Sequence, residues 1–281
     1  MKIAFVTHPK HPEIEEDDRP LGAALARRGA LVLTASWDDP DFAWDRVDLA
    51  LLRSPWDYCR RYEEFLGWLR RVEAVTNLLN DPDLVRWNMD KRYLLELAGK
   101  GVPTVPTALV ARGESVSLRE LCSRRGWDIV VLKPSVSADS WETIRVGPGQ
   151  YAEGQAYLDR HRPLREIMVQ PFVEDIEGGG EHSLMFFGGD YSHAVRKNSL
   201  FKGGRHVGPE GLPADPGNDA VEMARNVLFK AGCPQIPYAR VDIARDENGS
   251  PLLLELELFE PTLFFLEKPG SEERLARILM G

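Results

Sequence analysis

RVDIARDENGSPLLLELELFEP, residues 240–261, decides the reading of this chain. Asn248-Gly249 is a strong hairpin signal, since both residues accept the positive φ of a type I′ turn. Taken as the two loop residues, they set Asp242 opposite Glu255 and Arg240 opposite Glu257. Side chains alternate across a strand, so Asp242, Glu255 and Glu257 share one face and the leucines pack on the other. Opposed carboxylates destabilise a sheet unless a cation stands between them. Two readings stay open at this point. The face is a solvated acidic edge offset by Arg240 alone, or it is a site for a hard divalent cation with oxygen ligands. Glu255 and Glu257 share a face whichever turn forms.

A magnesium site of this kind normally keeps phosphate oxygens among its ligands, which directs attention to cations upstream. Lys133 ends the apolar stretch IVVLKPSV (129–136), and the small Ser-rich loop PSVSADS (134–140) follows it. Backbone N–H groups and the hydroxyls of Ser135 and Ser137 could hold phosphate oxygens there. Lys91 lies in a helical segment read from about Pro82 to Lys100 and stopped by Gly101. Taken singly, each lysine is more often a solvated strand end or helix face than a ligand. Gln170, Pro171, Phe172 and Val173 form a strand edge whose free backbone groups suit an adenine edge, with an ordinary loop as the alternative.

The rest of the chain supplies a frame for these pieces. KIAFVTH (2–8), ALVLTASW (30–37) and VDLALLRS (47–54) read as strands alternating with helices at 17–29 and 61–73, the pattern of a parallel α/β sheet. Ligands gather at the carboxyl ends of such strands, which places His8 and RSPWDY (53–58) at a candidate rim. HSLMFFGGDYSHAVRKN (182–198) reads as a hairpin turning at Gly188-Gly189. EDIEGGGE (174–181) and the Gly/Pro-rich 202–217 read as mobile, and NDAVEMARNVLFKAG (218–232) as a helix. Hairpin patterning replaces parallel patterning after about residue 110, so several subdomains are expected within the 281 residues.

Composition excludes more than it selects. The net charge of −9, with basic residues scattered, argues against a nucleic-acid partner, and no apolar run reaches membrane-span length. Cys59, Cys122 and Cys233 are isolated and odd in number, which suggests neither disulfides nor zinc and fits a reducing, cytoplasmic setting.

In order and spacing, MDKRYL, VLKP, the Ser-rich loop, VQPFV, GGGEHSLMFF, RVDI and ELELFEP resemble an ATP-grasp enzyme over nearly the whole chain. RSPWDY, RWNMDKRYLL, EHSLMFFGGDYSHAVRK and LLLELELFEP narrow the likeness to the small glutathione-synthetase-like branch that includes the cyclo-ligase of D-cycloserine biosynthesis. The resemblance implies an α/β and α+β ATP-grasp fold. It has a Rossmann-like subdomain over 1–80, a central lid over 81–168 and a C-terminal α+β subdomain over 169–281. It further implies that Lys91, Lys133 and the Ser135/Ser137 loop hold ATP phosphates, that 170–173 and Glu181 complete the nucleotide pocket, and that Asp242, Glu255 and Glu257 hold Mg²⁺. Two positions depart from the family pattern. Glu257 stands where many members have Asn, and loop 135–140 lacks the usual glycines, which implies stiffer closure.

The implied chemistry is activation of a carboxylate as an acyl phosphate, followed by attack of a nitrogen nucleophile. Arg240, Lys197 and Arg53 are the candidates to grip substrate and intermediate, with a structural ion pair to Asp57 as the alternative for Arg53. Arg196 shares the candidacy of Lys197, His8 and His193 are weaker candidates, and Trp56, Tyr58 and Trp141 wall the pocket or pack in the core. The narrower likeness implies a small amino-acid derivative such as O-ureido-D-serine, whose own ureido nitrogen closes on the activated carboxylate. A dipeptide or γ-glutamyl ligase, a phosphotransferase and a silent nucleotide-binding module are the competing readings. A homodimer is left open.

Overall fold

The structure is a computed structural model that describes residues 1–178, 180–197 and 211–281. The chain opens with β1 (Lys2–Thr7), α1 (Arg19–Arg27), β2 (Leu31–Ser36), β3 (Leu49–Leu52), α2 (Tyr62–Glu73) and β4 (Asn77–Leu79). These strands pair in parallel in the order β2-β1-β3-β4, as their alternation with helices requires.

Next come α3 (Pro82–Asn88), α4 (Tyr93–Gly99), β5 (Ala108–Val110), α5 (Leu118–Arg125), β6 (Val130–Pro134), β7 (Ile144–Val146), α6 (Tyr151–His161) and β8 (Ile167–Pro171). β5-β8-β6-β7 form an antiparallel sheet with its own small core around Leu118, Leu132 and Leu158. The expected boundary at 168/169 falls inside β8, which pairs with β6 as far as Pro171. The expected single helix over 82–100 is two helices. Two bonds mark its break at residues 89–92, one tertiary and one local: the Lys91 N–H donates to Ser135 O at 2.8 Å, and the Asp90 carboxylate accepts the Arg92 N–H at 3.0 Å. That break carries Lys91 out of helical register and into the molecule.

The third segment holds α7 (Asp175–Gly178), β9 (Glu181–Phe187), β10 (Asp190–Lys197), β11 (Gly211–Ala214), α8 (Asn218–Lys230), β12 (Tyr238–Arg245), β13 (Pro251–Glu257) and α9 (Ser271–Met280). Its sheet runs β11-β10-β9-β12-β13, with α4 and α8 packed on one face around Leu97, Leu184, Val227 and Leu256. The other face shares a core with the first sheet, where Phe187 and Tyr238 meet Phe5, Leu25 and Leu279. The β9–β10 hairpin turns at Gly188 and Gly189, both at positive φ (63° and 81°), as expected. Residues 202–210 of the expected mobile loop lie outside the described residues, and 211–214 form β11.

Asp242 does pair with Glu255 and Arg240 with Glu257, but the hairpin reaches that register by another route. Only Gly249 of the Asn-Gly pair has positive φ, and the Asp246 carboxylate organises the turn by accepting N–H groups of Asn248 (2.9 Å) and Ser250 (2.8 Å). The longer loop pairs Arg245 with Pro251, one residue off the expected register. A bulge at Leu254 then restores the register between Ile243 and Asp242. The bulge also turns Leu254 and Glu255 toward the same cleft, while Leu253 and Leu256 stay in the core.

Asn88 locks α3 to this strand. Its amide donates to Leu256 O at 2.8 Å and its oxygen accepts the Leu258 N–H at 2.8 Å, both buried. Asn88→Ala leaves two backbone groups unpartnered, so we expect a loss of about 2–4 kcal/mol in chemical denaturation.

Candidate active site

A cleft of about 480 Å³ opens between the central sheet and the C-terminal sheet. One wall is β6 and the loop after it, with Lys133, Ser137 and Asp139; a second is Gln170–Val173 at the end of β8. The floor is the charged face of β9, β10, β12 and β13, presenting Glu181, Lys197, Arg240, Asp242, Glu255 and Glu257. Lys91, delivered by the helix break, completes it.

The floor is a connected lattice of charge. Arg240 donates to both Asp242 oxygens (2.9 Å each) and to Glu257. Lys197 contacts Asp242 at 3.0 Å and pairs with Glu181, and Ser183 donates to Asp242 at 2.6 Å. Lys91 pairs with Glu255 at 3.0 Å and donates to Ser137 O. Burial opposes charge at Asp242, yet Arg240 and Lys197 hold its carboxyl well below the usual range. Burial likewise works against Glu255, but Lys91 and Lys133 lower it. At Glu257 burial wins over Arg240 and pushes the carboxyl up to about 7. Burial also raises Glu181, with Lys197 opposing it.

Arg240, expected as one counter-charge on this face, is joined by Lys197 and Lys91 in offsetting the repulsion. Among the described residues no three His, Cys, Asp or Glu side chains stand grouped as metal ligands. The donor set nevertheless suits Mg²⁺: every available ligand is a hard oxygen, and the competing cations are side chains able to withdraw. Lys133 differs from the other cleft cations. It has no ion pair among the described residues, and burial lowers its pKa. An anion is the complement such a lysine lacks.

Other expected site residues fall elsewhere. Arg53 is 1% exposed and away from the cleft, ion-paired with Asp18 (2.9 Å) rather than Asp57, with a further bond to Pro261 O (2.8 Å). Asp57 instead accepts from Trp37 Nε1 at 2.7 Å. Asp18 is 35 positions from Arg53 in the chain, and no local signal points to it. Ser135 is buried behind the loop, its N–H bonded to Glu166 O and its carbonyl to Lys91 N–H. Arg196 faces solvent. His193 is buried with Nε2 against Leu263 O and Phe264 O, while His8 sits against Trp56 outside the cleft. Trp56 does line the cleft; Tyr58 is buried beneath it, and Trp141 packs between Arg60 and Arg165. Glu260 and Thr262 line the cleft and were missed, although ELELFEP shows a third acid just past the strand.

Residues 3–80 match the family model described as D-cycloserine synthetase DcsG, N-terminal domain. The cycloserine biosynthesis protein DcsG of Streptomyces lavendulae is 33% identical over 290 residues, covering 99% of this chain and 97% of the relative. The crystal structure of D-cycloserine synthetase DcsG superposes with a TM-score of 0.93 at 32% identity, covering 99% of this chain and 98% of that one. More distantly, the ATP-grasp ligase PsnB complexed with minimal precursor, Mg and ADP shares the fold. Its TM-score is 0.64 at 15% identity, with coverage of 99% and 96%.

Lys133→Met removes a half-buried cation with no ion pair among the described residues, so the ligand-free protein should melt no lower than wild type while ATP affinity falls at least about tenfold. If Glu257 holds a metal ion it must be ionised to do so, and burial that pushes its carboxyl up to about 7 leaves most of it protonated at pH 6. Binding of Mg²⁺ with ATP should accordingly release a proton at pH 6 and almost none at about pH 8.5, with affinity rising between them. Calorimetry in buffers of different ionisation enthalpy, with the release from ATP and Mg²⁺ alone subtracted, reads this directly, and Glu257→Gln should remove the protein's share of the release.

Proposed function

We propose a reaction for this chain, which belongs to the D-cycloserine synthetase family of ATP-grasp ligases: ATP-dependent closure of O-ureido-D-serine on itself to give D-cycloserine. The observation that carries it is the cleft in which a half-buried lysine with no ion pair among the described residues, Lys133, faces a floor of ion-paired carboxylates and their counter-ions. Lys133 and Lys91 are assigned to the ATP phosphates, and the backbone of Gln170–Val173 to the adenine edge. Asp242, Glu255 and Glu257 would hold Mg²⁺, which supplies charge neutralisation for the transferring phosphoryl group.

The γ-phosphoryl group passes to a substrate carboxylate oxygen, leaving ADP and an acyl phosphate. Arg240 and Lys197 stand where they can bind the activated carboxylate and the transferred group once their carboxylate partners are otherwise engaged. The substrate nitrogen bonded to oxygen then attacks the carbonyl carbon. The new C–N bond closes the ring, the C–O bond to phosphate breaks, and the nitrogen gives its proton to solvent. The ring nitrogen at first keeps its carbamoyl group, and addition of water there releases carbon dioxide and ammonia to leave D-cycloserine. Intramolecular attack uses the high effective concentration of a tethered nucleophile and needs no second substrate pocket.

A second cavity of about 590 Å³ is lined by residues of 73–84 and 232–237; it shares no lining residue with the cleft and presents no Lys or Arg. Cys59, Cys122 and Cys233 are free and buried, which supports a reducing, cytoplasmic setting. No helix among the described residues is long and apolar enough to cross a membrane.

The test is phosphate release with ATP and Mg²⁺ against amino-acid derivatives, singly and in pairs. O-ureido-D-serine alone should release phosphate in step with D-cycloserine. Release only with pairs would overturn cyclisation, and a stable phosphorylated product without phosphate release would make the protein a phosphotransferase. Asp242→Asn and Glu255→Gln should each lower turnover by at least about a hundredfold while the protein stays folded.

A further inference from the structure

Of the acids that line the cleft below its rim, Glu181, Asp242, Glu255 and Glu257 each hold an ion pair; Glu260 holds none among the described residues. It is 7% exposed and its Oε2 has no hydrogen-bond partner. The Tyr58 hydroxyl is its polar neighbour, and Lys91, the nearest attractive charge, is committed to Glu255 and Ser137 O. Ionising a buried carboxyl without a cation is costly, and burial with Glu257 raises this one well above the usual range; a cationic ligand is the partner its ionised form lacks.

The surrounding structure fixes this side chain in place. Trp56 Nε1 donates to Glu260 O at 3.0 Å, Arg53 to Pro261 O at 2.8 Å, and Arg240 to Thr262 O at 3.3 Å. Asp17 accepts the Leu263 N–H at 3.1 Å, and Asp18 holds Arg53. Donors from the end of β3 and from β12 thus secure three successive carbonyls, leaving Glu260 directed at the cleft beside Trp56 and Thr262. This also accounts for RSPWDY, a stretch whose arginine takes no part in the cleft itself.

We propose that Glu260 receives the α-ammonium group of the substrate and that Arg53, through the 260–262 turn, is its positioning residue. The inference rests on the ligase reading above. An α-amino acid carries its one cation next to the carboxylate being activated. Glu260 follows the metal-side residue Glu257 by three positions, so the two groups can be served by one segment of chain. The anionic groups of substrate and ATP face the lysines and Arg240, while the ammonium meets the acid that has no partner.

The experiment compares O-ureido-D-serine with 3-(ureidooxy)propanoate, the same acid without the amino group, by phosphate release in wild type and Glu260→Gln. Wild type should prefer the amino-bearing substrate by about a hundredfold or more in kcat/KM. Glu260→Gln should lose most of that preference through a raised KM, with the KM for ATP within about twofold and the melting temperature retained. Arg53→Lys should lower the same preference less. If Glu260→Gln does not fold, Glu260→Asp takes its place and should lower the preference at least about tenfold. An unchanged preference in the folded variant overturns the inference, as does a loss confined to kcat, and both leave the ligase reading standing. Silence of wild type with every substrate overturns the reaction and this inference together.

Discussion

Carboxylates crowded on one face of β12 and β13, one of them buried and two half-buried, need cations, and the architecture around the cleft answers that need. Asp242 opposite Glu255, with Glu257 on the same face, cannot be charged in a low-dielectric cleft unless positive groups stand close by. Arg240 comes from the same strand, Lys197 from the end of β10, and Lys91 from a helix broken at the point where its ammonium reaches Glu255. The break in the helix, the bulge at Leu254 and the order β10-β9-β12-β13 are all consequences for the backbone of gathering these charges in one place.

The lattice is stable without ligand yet suited to exchange. Each protein cation is on a long side chain, and each carboxylate it holds is a hard oxygen donor. In the proposed reaction a divalent ion would replace Arg240 and Lys91 on the carboxylates and free those side chains to meet phosphate and carboxylate oxygens. Lys133 is the asymmetric member, a half-buried ammonium with no ion pair among the described residues, and Glu260 is its opposite, a buried carboxyl raised by burial and by Glu257.

The sequence carried the local pattern well and the long-range partners poorly. The Leu-Glu alternation and the Gly188-Gly189 turn are properties of adjacent residues, and both appear as expected. The Asp242–Glu255 register was also right, although through two departures that cancel: Asp246 lengthens the turn and Leu254 bulges. Arg53 was misplaced because its partner Asp18 comes from another element, and nothing in RSPWDY distinguishes a buried ion pair from a substrate clamp. Ser135 illustrates the same limit, since its backbone is consumed by Glu166 and Lys91. The helix over 82–100 has unbroken helical spacing, and only tertiary bonds from Asn88 and Lys91 reveal where it stops. Glu260 was visible as a letter but not as a site, because burial without a partner is a property of the fold alone.

The most direct measurement is a crystal structure with Mn²⁺ in place of Mg²⁺ and a non-hydrolysable ATP analogue, with the metal located by its anomalous signal. Manganese should be bound by Asp242, Glu255 and Glu257, with Lys91 withdrawn from Glu255, Arg240 from Glu257, and Lys133 on a phosphate. Manganese held elsewhere, with the Lys91–Glu255 and Arg240–Glu257 pairs intact beneath the nucleotide, would contradict that arrangement.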